Sequence, residues 1–282
     1  MTQQLCIYHA KCTDGYAAAW IIHRVLGSTG VDFHEGYYGA PPPNVDGRRV
    51  IIVDFSYPRD VMMGIIDRCE ALLVLDHHKT AEADLASLCP GSEKVQILFD
   101  MSRSGAGLTW DYSCGGSRPW LIDLVETRDL WRRDDMNWEK ARLAHAYVNS
   151  FPFTFNEWDE HMRVTMAEGG QAMVLREGAA ILRQHDRDVE EMIGATKRRM
   201  KIGGYDVPVA NLGPMLASDA GHLMSKGEPF SASYFDGARG RLFSLRSADD
   251  GLDVSEIAKS YGGGGHAHAA GFKVELGWNG DP

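Results

Sequence analysis

Short, densely apolar runs recur along the first half of the chain, each followed by a polar cluster and then a stretch of helical character. The run LLVL at 72–75 predicts a buried strand, with Asp76, His77 and His78 standing where it ends. Residues 5–8 predict a first strand, followed by a loop holding His9 and Asp14 and by an alanine-rich helix through 16–22 that can pack closely on a sheet. Residues 31–34 predict an edge strand, and the prolines at 41–43 predict a loop. Residues 49–53 form another apolar run ending in Asp54, with Pro58 suited to the first turn of the next helix. A strand at 95–99, a helix opening over 102–107 and a helix from Trp120 toward Asp129 complete this half. Strands alternating with helices predict an α/β fold on a parallel sheet.

From about Asn149 the pattern changes. Residues 151–155 form an irregular aromatic segment. Val174, Ile181, Leu182, Val189, Met192 and Ile193 then recur at helical spacing and predict a long amphipathic connector. The basic tract at 197–201 reads as cations complementing the carboxyl end of that helix. Alternation at 205–210, 230–235 and 241–247, a helix at 254–258 and the stretch GGGGHAHAAGF at 262–272 predict a smaller α/β domain with a mixed sheet. The expected division is a parallel-sheet domain at 1–148, a connector with the long helix at 149–201, and the smaller domain at 202–282.

Composition narrows the function classes. A chain of 282 residues suffices for one large or two ordinary domains. Its net charge of −10 disfavours holding a long nucleic acid on a broad basic surface, while a local basic cleft could still take a short anion. Apolar runs are strand-sized, so no membrane span is expected, and Met1, Thr2, Gln3 and Gln4 show no secretory signal. Cys6, Cys12, Cys69, Cys89 and Cys114 include no CxxC pair, which fits thiols of a reducing cytoplasm.

An open parallel sheet gathers ligands beyond the carboxyl ends of its strands. There this chain offers His9 and Asp14, then Asp54, then His77, with Asp129 at a helix end. Singly, Asp14 and Asp54 read as helix caps and His9 as a buried donor; their recurrence at successive strand ends favours metal ligands. Mixed carboxylate and imidazole donors suit Mn²⁺ or a similar ion rather than a cysteine-rich structural zinc. Such an ion acidifies a bound water for attack on phosphorus, with nearby arginines holding the developing charge. Ser102, Arg103 and Ser104 at a helix start suit either a phosphate or an ordinary cap. The four glycines at 262–265 leave amides free to wrap an anion, and His266 adds a donor.

His9 with Asp14 and Gly15, Val53 with Asp54, Asp76-His77-His78, Arg128 with Asp129, FSLRS at 243–247 and GGGGHAHAAGF follow in an order that resembles the DHH-family phosphoesterases with a C-terminal DHH-associated domain. The resemblance spans nearly the whole chain, and its two signature stretches are highly specific in combination. It implies two lobes around an active-site cleft, with one or two Mn²⁺ ions (Mg²⁺, Fe²⁺ or Co²⁺ as substitutes) in the first. It implies His9 and Asp14 as ligands, Asp54 as a bridging ligand, and His77 and Asp129 as ligands of a second ion. His78 would contact the substrate phosphate and Asp76 would orient its neighbours. Arg246, Ser247, Gly264, Gly265 and His266 would bind the nucleotide or its terminal phosphate, with Arg103 a further phosphate candidate on local chemistry. His268 is at most an auxiliary contact.

The first motif of the family carries two acids flanking one residue, whereas this chain has Cys12, Thr13 and Asp14. Cys12 either ligates as a thiolate, favouring a softer metal, or is inert. The implied activity is hydrolysis of short oligonucleotides to nucleoside monophosphates by a cytoplasmic enzyme, consistent with a homodimer and with no membrane or long-duplex partner. cAMP, cGMP, cyclic dinucleotides and 3′-phosphoadenosine 5′-phosphate share the chemistry as alternative substrates. A nucleotide sensor that has lost catalysis is the reading from another class.

Overall fold

The computed structural model describes residues 3–27, 29–88, 93–238 and 240–282; Met1, Thr2 and Cys89 lie outside the described residues. Contacts divide the chain into two units, Met1–Leu182 and Arg183–Pro282.

The first unit is built from β1 (Gln4–His9), α1 (Thr13–Leu26), β2 (Val31–Gly36), β3 (Arg49–Val53), α2 (Arg59–Arg68), β4 (Ala71–Asp76), α3 (Lys79–Leu85) and β5 (Val95–Phe99). Helices α4 (Gly105–Ser113), α5 (Trp120–Asp129), α6 (Trp138–Asn149) and α7 (Phe155–Met166) follow, and the boundary between the units falls inside α8 (Gly170–Thr196). The five strands are parallel in the order β2-β1-β3-β4-β5. Successive residues of β1 serve opposite layers: Cys6 and Tyr8 pack with α1 and α5, while Leu5 and Ile7 pack with Met62 and Ile65 of α2. Burial on both faces explains why these strands read as continuous apolar runs rather than alternating ones. Complete burial of side chains such as Ile7 and Ile52 stabilises the sheet by about 1.5–3 kcal/mol each.

The strand order reverses between β1 and β3, the topological switch point of such a sheet, where a crevice opens beyond the carboxyl ends. Backbone geometry there is unusual. The non-glycine residues with positive φ among those described are Lys11, Asp54 and Trp131, each a candidate ligand or within two positions of one. His9 is the last residue of β1 and Asp14 lies in the first turn of α1, so the predicted loop holding both shrinks to 10–12.

The second unit forms a six-stranded sheet in the order β10-β11-β9-β8-β7-β6 from β6 (Arg198–Ile202), β7 (Tyr205–Asn211), β8 (Ser231–Gly237), β9 (Gly240–Arg246), β10 (Gly264–His266) and β11 (Ala269–Val274), with α9 (Ala217–Met224) and α10 (Val254–Ser260). Only the β7–β8 pairing is parallel among its ladders, so the sheet is mixed as predicted. Val254 and Ala258 of α10 join Phe243, Leu245 and Phe272 in one core, while Ala217 and Ala220 of α9 join Val189 in another.

The second unit overturns one expectation. The basic tract at 197–201 does not close a helix: α8 ends at Thr196 and β6 begins at Arg198, because Met200 and Ile202 alternate into the core against β7. The glycine-rich stretch contributes a β-hairpin arm to the sheet, with Gly264, Gly265 and His266 paired to Gly271, Ala270 and Ala269. Gly265 has φ +143 and sits where a Cβ would meet Ala269 O at 2.6 Å, so only glycine suits that register. No helix among the described residues is long and apolar enough to cross a membrane.

Candidate metal centre

Three strand ends and two helices deliver the candidate ligands of the first unit to one place. His77, immediately after β4, lies with Nε2 3.0 Å from Asp54 Oδ1, 3.7 Å from Asp14 Oδ2 and 3.6 Å from Asp129 Oδ2. His9 Nδ1 at the end of β1 is 3.4 Å from Asp54 Oδ2. Asp14, His77 and Asp129 form one group able to hold a metal ion, and His9, Cys12 and Asp54 form another. Asp54 adjoins both, which its left-handed backbone (φ 54) makes possible at the turn out of β3. Asp54 Oδ2 is buried and accepts no hydrogen bond among the described residues.

Asp76, the last residue of β4, lies beside Asp54 and holds its own neighbours. Its Oδ1 accepts from the backbone N–H of His77 at 2.7 Å and lies 2.7 Å from His78 Nδ1, while Oδ2 accepts from Ser56 Oγ at 2.6 Å. The Nδ1 contact with Asp76 fixes the orientation of the His78 ring.

The electrostatics call for a cation. Burial alone would raise Asp54, but the hydrogen bond from His77 and the nearby His9 imidazole hold it well below the usual carboxylate range. Asp14 goes the other way: burial, then the charges of Asp129 and Asp54, push it well up. Asp129 is also raised, by burial and by Asp54, despite the opposing pull of His77. Burial disfavours charge on His77, yet the Asp54 hydrogen bond and the surrounding carboxylates push it up to about 10. Burial and then Asp54, Asp129 and Asp14 likewise push the Cys12 thiol well above its ordinary value. Three crowded carboxylates facing one imidazolium repel one another, and a divalent ion relieves that repulsion. The donor set therefore fits a resident metal.

Close packing sustains the geometry. The amides of Gly105 and Ala106, at the start of α4, donate to Asp14 at 2.5 and 3.0 Å. A Cβ on Gly105 would collide with Asp54, and one on Gly15 would meet His9 Cβ at 2.7 Å. Ser104 caps α4 by accepting from Gly107 N. The helix start predicted to suit either a phosphate or a cap thus has its own cap and binds an internal carboxylate. Arg103 lies 3.3 Å from both Glu126 Oε1 and Asp111 Oδ2. Glu126 is buried and also faces Arg118 and Arg132 at 3.0 Å each, tying α5 to the start of α4.

In the second unit, ladder registers align Arg246, Ala269 and His266 across β9, β11 and β10. The Arg246 guanidinium donates to Ser218 Oγ and Leu245 O, each at 2.8 Å. Ser247 Oγ donates to Leu252 O at 2.7 Å and lies 2.9 Å from His268 Nδ1. Ser56, Gly105 and Glu126 went unread in the sequence. The contacts Ser56–Asp76, Glu126–Ser104 and Gly105–Asp14 join residues 20, 22 and 91 positions apart, and no local spacing signals them.

No family model matches the chain. It is 28% identical over 296 residues to an uncharacterized protein of Acanthamoeba polyphaga mimivirus, covering 94% of this chain and 66% of that protein. It is 26% identical over 216 residues to oligoribonuclease NrnB of Bacillus subtilis (strain 168), covering 71% of this chain and 52% of that protein. The chain thus spans only about two thirds and about half the length of these curated relatives. A solved structure described as the DHH domain of a member of the S1p family of ribosomal proteins superposes with TM-score 0.55 over 97% of this chain and 83% of its own, at 13% identity. That likeness is one of fold. The chain shares the fold of that DHH domain and carries Asp76, His77 and His78 at the end of β4.

Proposed function

We propose that the protein is a metal-dependent phosphoester hydrolase, and within that class a phosphodiesterase that cleaves short oligonucleotides to nucleoside monophosphates. The observation that carries the reading is the convergence of His9, Asp14, Asp54, His77 and Asp129 around the buried, unsatisfied Asp54 Oδ2. We assign these five as the ligands of one or two ions, Mn²⁺ first, with Cys12 as a sixth donor. When bound, such an ion supplies a water acidic enough to yield hydroxide near neutral pH, and positive charge against the phosphoryl oxygens.

The residues of the chain do the rest. Asp54, beside both His9 and His77, serves both halves of the ligand set. Burial disfavours a charged His78, but Asp76 outweighs it and favours the imidazolium, so Nε2–H donates to a non-bridging oxygen of the phosphate. Ser56, holding Asp76, keeps that donor aimed. In the division assigned from sequence, 1–148 carries the chemistry. The region 202–282 takes the substrate's terminal phosphate through Arg246, Ser247, Gly264, Gly265 and His266.

Short substrates are favoured by the net charge of −10, which lacks the basic excess that long strands require, and by similarity to a relative named as an oligoribonuclease. The test is product formation from a 5′-phosphorylated dinucleotide, a 20-mer and cAMP, each with Mn²⁺ and with chelator. Fastest Mn²⁺-dependent cleavage on the dinucleotide supports the proposal. Preference for cAMP keeps the mechanism and replaces the substrate, and purified protein that binds no divalent metal sinks the mechanism.

A further inference from the structure

Tyr38 stands at the edge of the metal centre with 58% of its surface exposed, an unusual place for a large ring in a region otherwise so closely packed. Its centroid is 5.4 Å from that of His9, 6.2 Å from that of His78 and 5.0 Å from that of Phe55. Both imidazoles meet it edge to face, at 73° and 74°. The ring therefore contacts these three residues while more than half of the residue's surface stays accessible. Its backbone is also fixed. Ala40 N donates to Tyr37 O at 3.1 Å and Gly39 has φ 75, the marks of a type II turn with Tyr38 at its corner. Prolines at 41–43 restrict the exit from that turn. An exposed aromatic ring on a preorganised turn offers a face without an ordering penalty on binding.

We propose that Tyr38 is the stacking platform for the base of the nucleotide whose phosphate meets His78. This rests on the reading that a nucleotide phosphate binds at that histidine. Every base has a π-face, so such a platform accepts any of them and gives affinity for nucleotides without sequence preference. The hydroxyl is dispensable to this role and the ring is not.

The test measures binding of AMP and of ribose 5-phosphate to the Mn²⁺-loaded full chain, independently of turnover. Wild type is expected to bind AMP about tenfold more tightly than ribose 5-phosphate. Tyr38→Phe should keep that preference. Tyr38→Ala should erase it while leaving ribose 5-phosphate affinity unchanged. Equal affinities in wild type, an unchanged preference in Tyr38→Ala, or equal loss of both ligands would each overturn the inference. Absence of phosphodiester cleavage with the AMP preference intact would instead overturn the proposed hydrolase and leave Tyr38 its role.

Discussion

Asp54 combines a left-handed backbone, complete burial and an unsatisfied Oδ2, three costs that a structural carboxylate has no reason to bear together. A shared metal ligand does have one, so Asp54→Ala should lose both divalent-ion binding, read by calorimetry, and all measurable hydrolysis. Asp76→Asn keeps the ligand set but loses the charge pinning His78. Turnover should fall ~10–100-fold with metal content, read by elemental analysis, unchanged. Cys12 is tested spectroscopically: cobalt-substituted protein should show a thiolate-to-cobalt charge-transfer band that Cys12→Ser abolishes. Asp76, His77 and His78 were legible in sequence because three adjacent residues at a strand end need no tertiary information to be seen together. The role of Cys12 was open there, because one residue type at one position fits a ligand and a bystander equally.

Helix α4 shows how an element is committed by its partners. Its first amides are taken by Asp14, and its first residue lies against Asp54. Gly105→Ala should therefore destabilise the first unit by about 1–3 kcal/mol in urea unfolding and reduce metal affinity, since the added methyl displaces Asp54, a ligand in the proposed centre. In α7, His161 is buried among Tyr147, Phe151 and Trp158, and burial lowers its pKa below the ordinary 6.5 despite Glu160. Below that pH the unfolded chain binds the extra proton and the folded chain does not, so stability rises with pH across this window. Because the crowded carboxylates titrate with the opposite sign, the residue is read by difference: the thermal midpoint of metal-free wild type relative to that of His161→Phe should fall as pH drops from 7 to 5. The helices α6, α7 and α9 were not read from the sequence, whereas the strands of the first sheet were. A helix covering a core needs only an interrupted apolar stripe, but a strand buried on two faces needs an unbroken run.

For the whole molecule, the repelling carboxylates predict that a bound ion stabilises the fold as well as serving chemistry. At a hundredfold excess over Kd that linkage is worth about 2.7 kcal/mol, or roughly 5–10 °C for a unit of this size, read as the shift in thermal midpoint on adding Mn²⁺ and reversed by chelator. The sequence by itself determined that the chain is α/β, that its strands carry potential ligands at their carboxyl ends, and that its order of motifs resembles the DHH phosphoesterases. These properties are local, or a matter of order along the chain, and burial periodicity imposes them wherever the chain folds. Only the tertiary structure decided that β1 and β3 flank the switch point, that Asp14 is held by the amides of α4, and that the basic tract at 197–201 enters a strand. Each depends on contacts between residues far apart in sequence, where packing overrides local charge and capping preference, and no periodicity in the chain encodes which distant partner prevails.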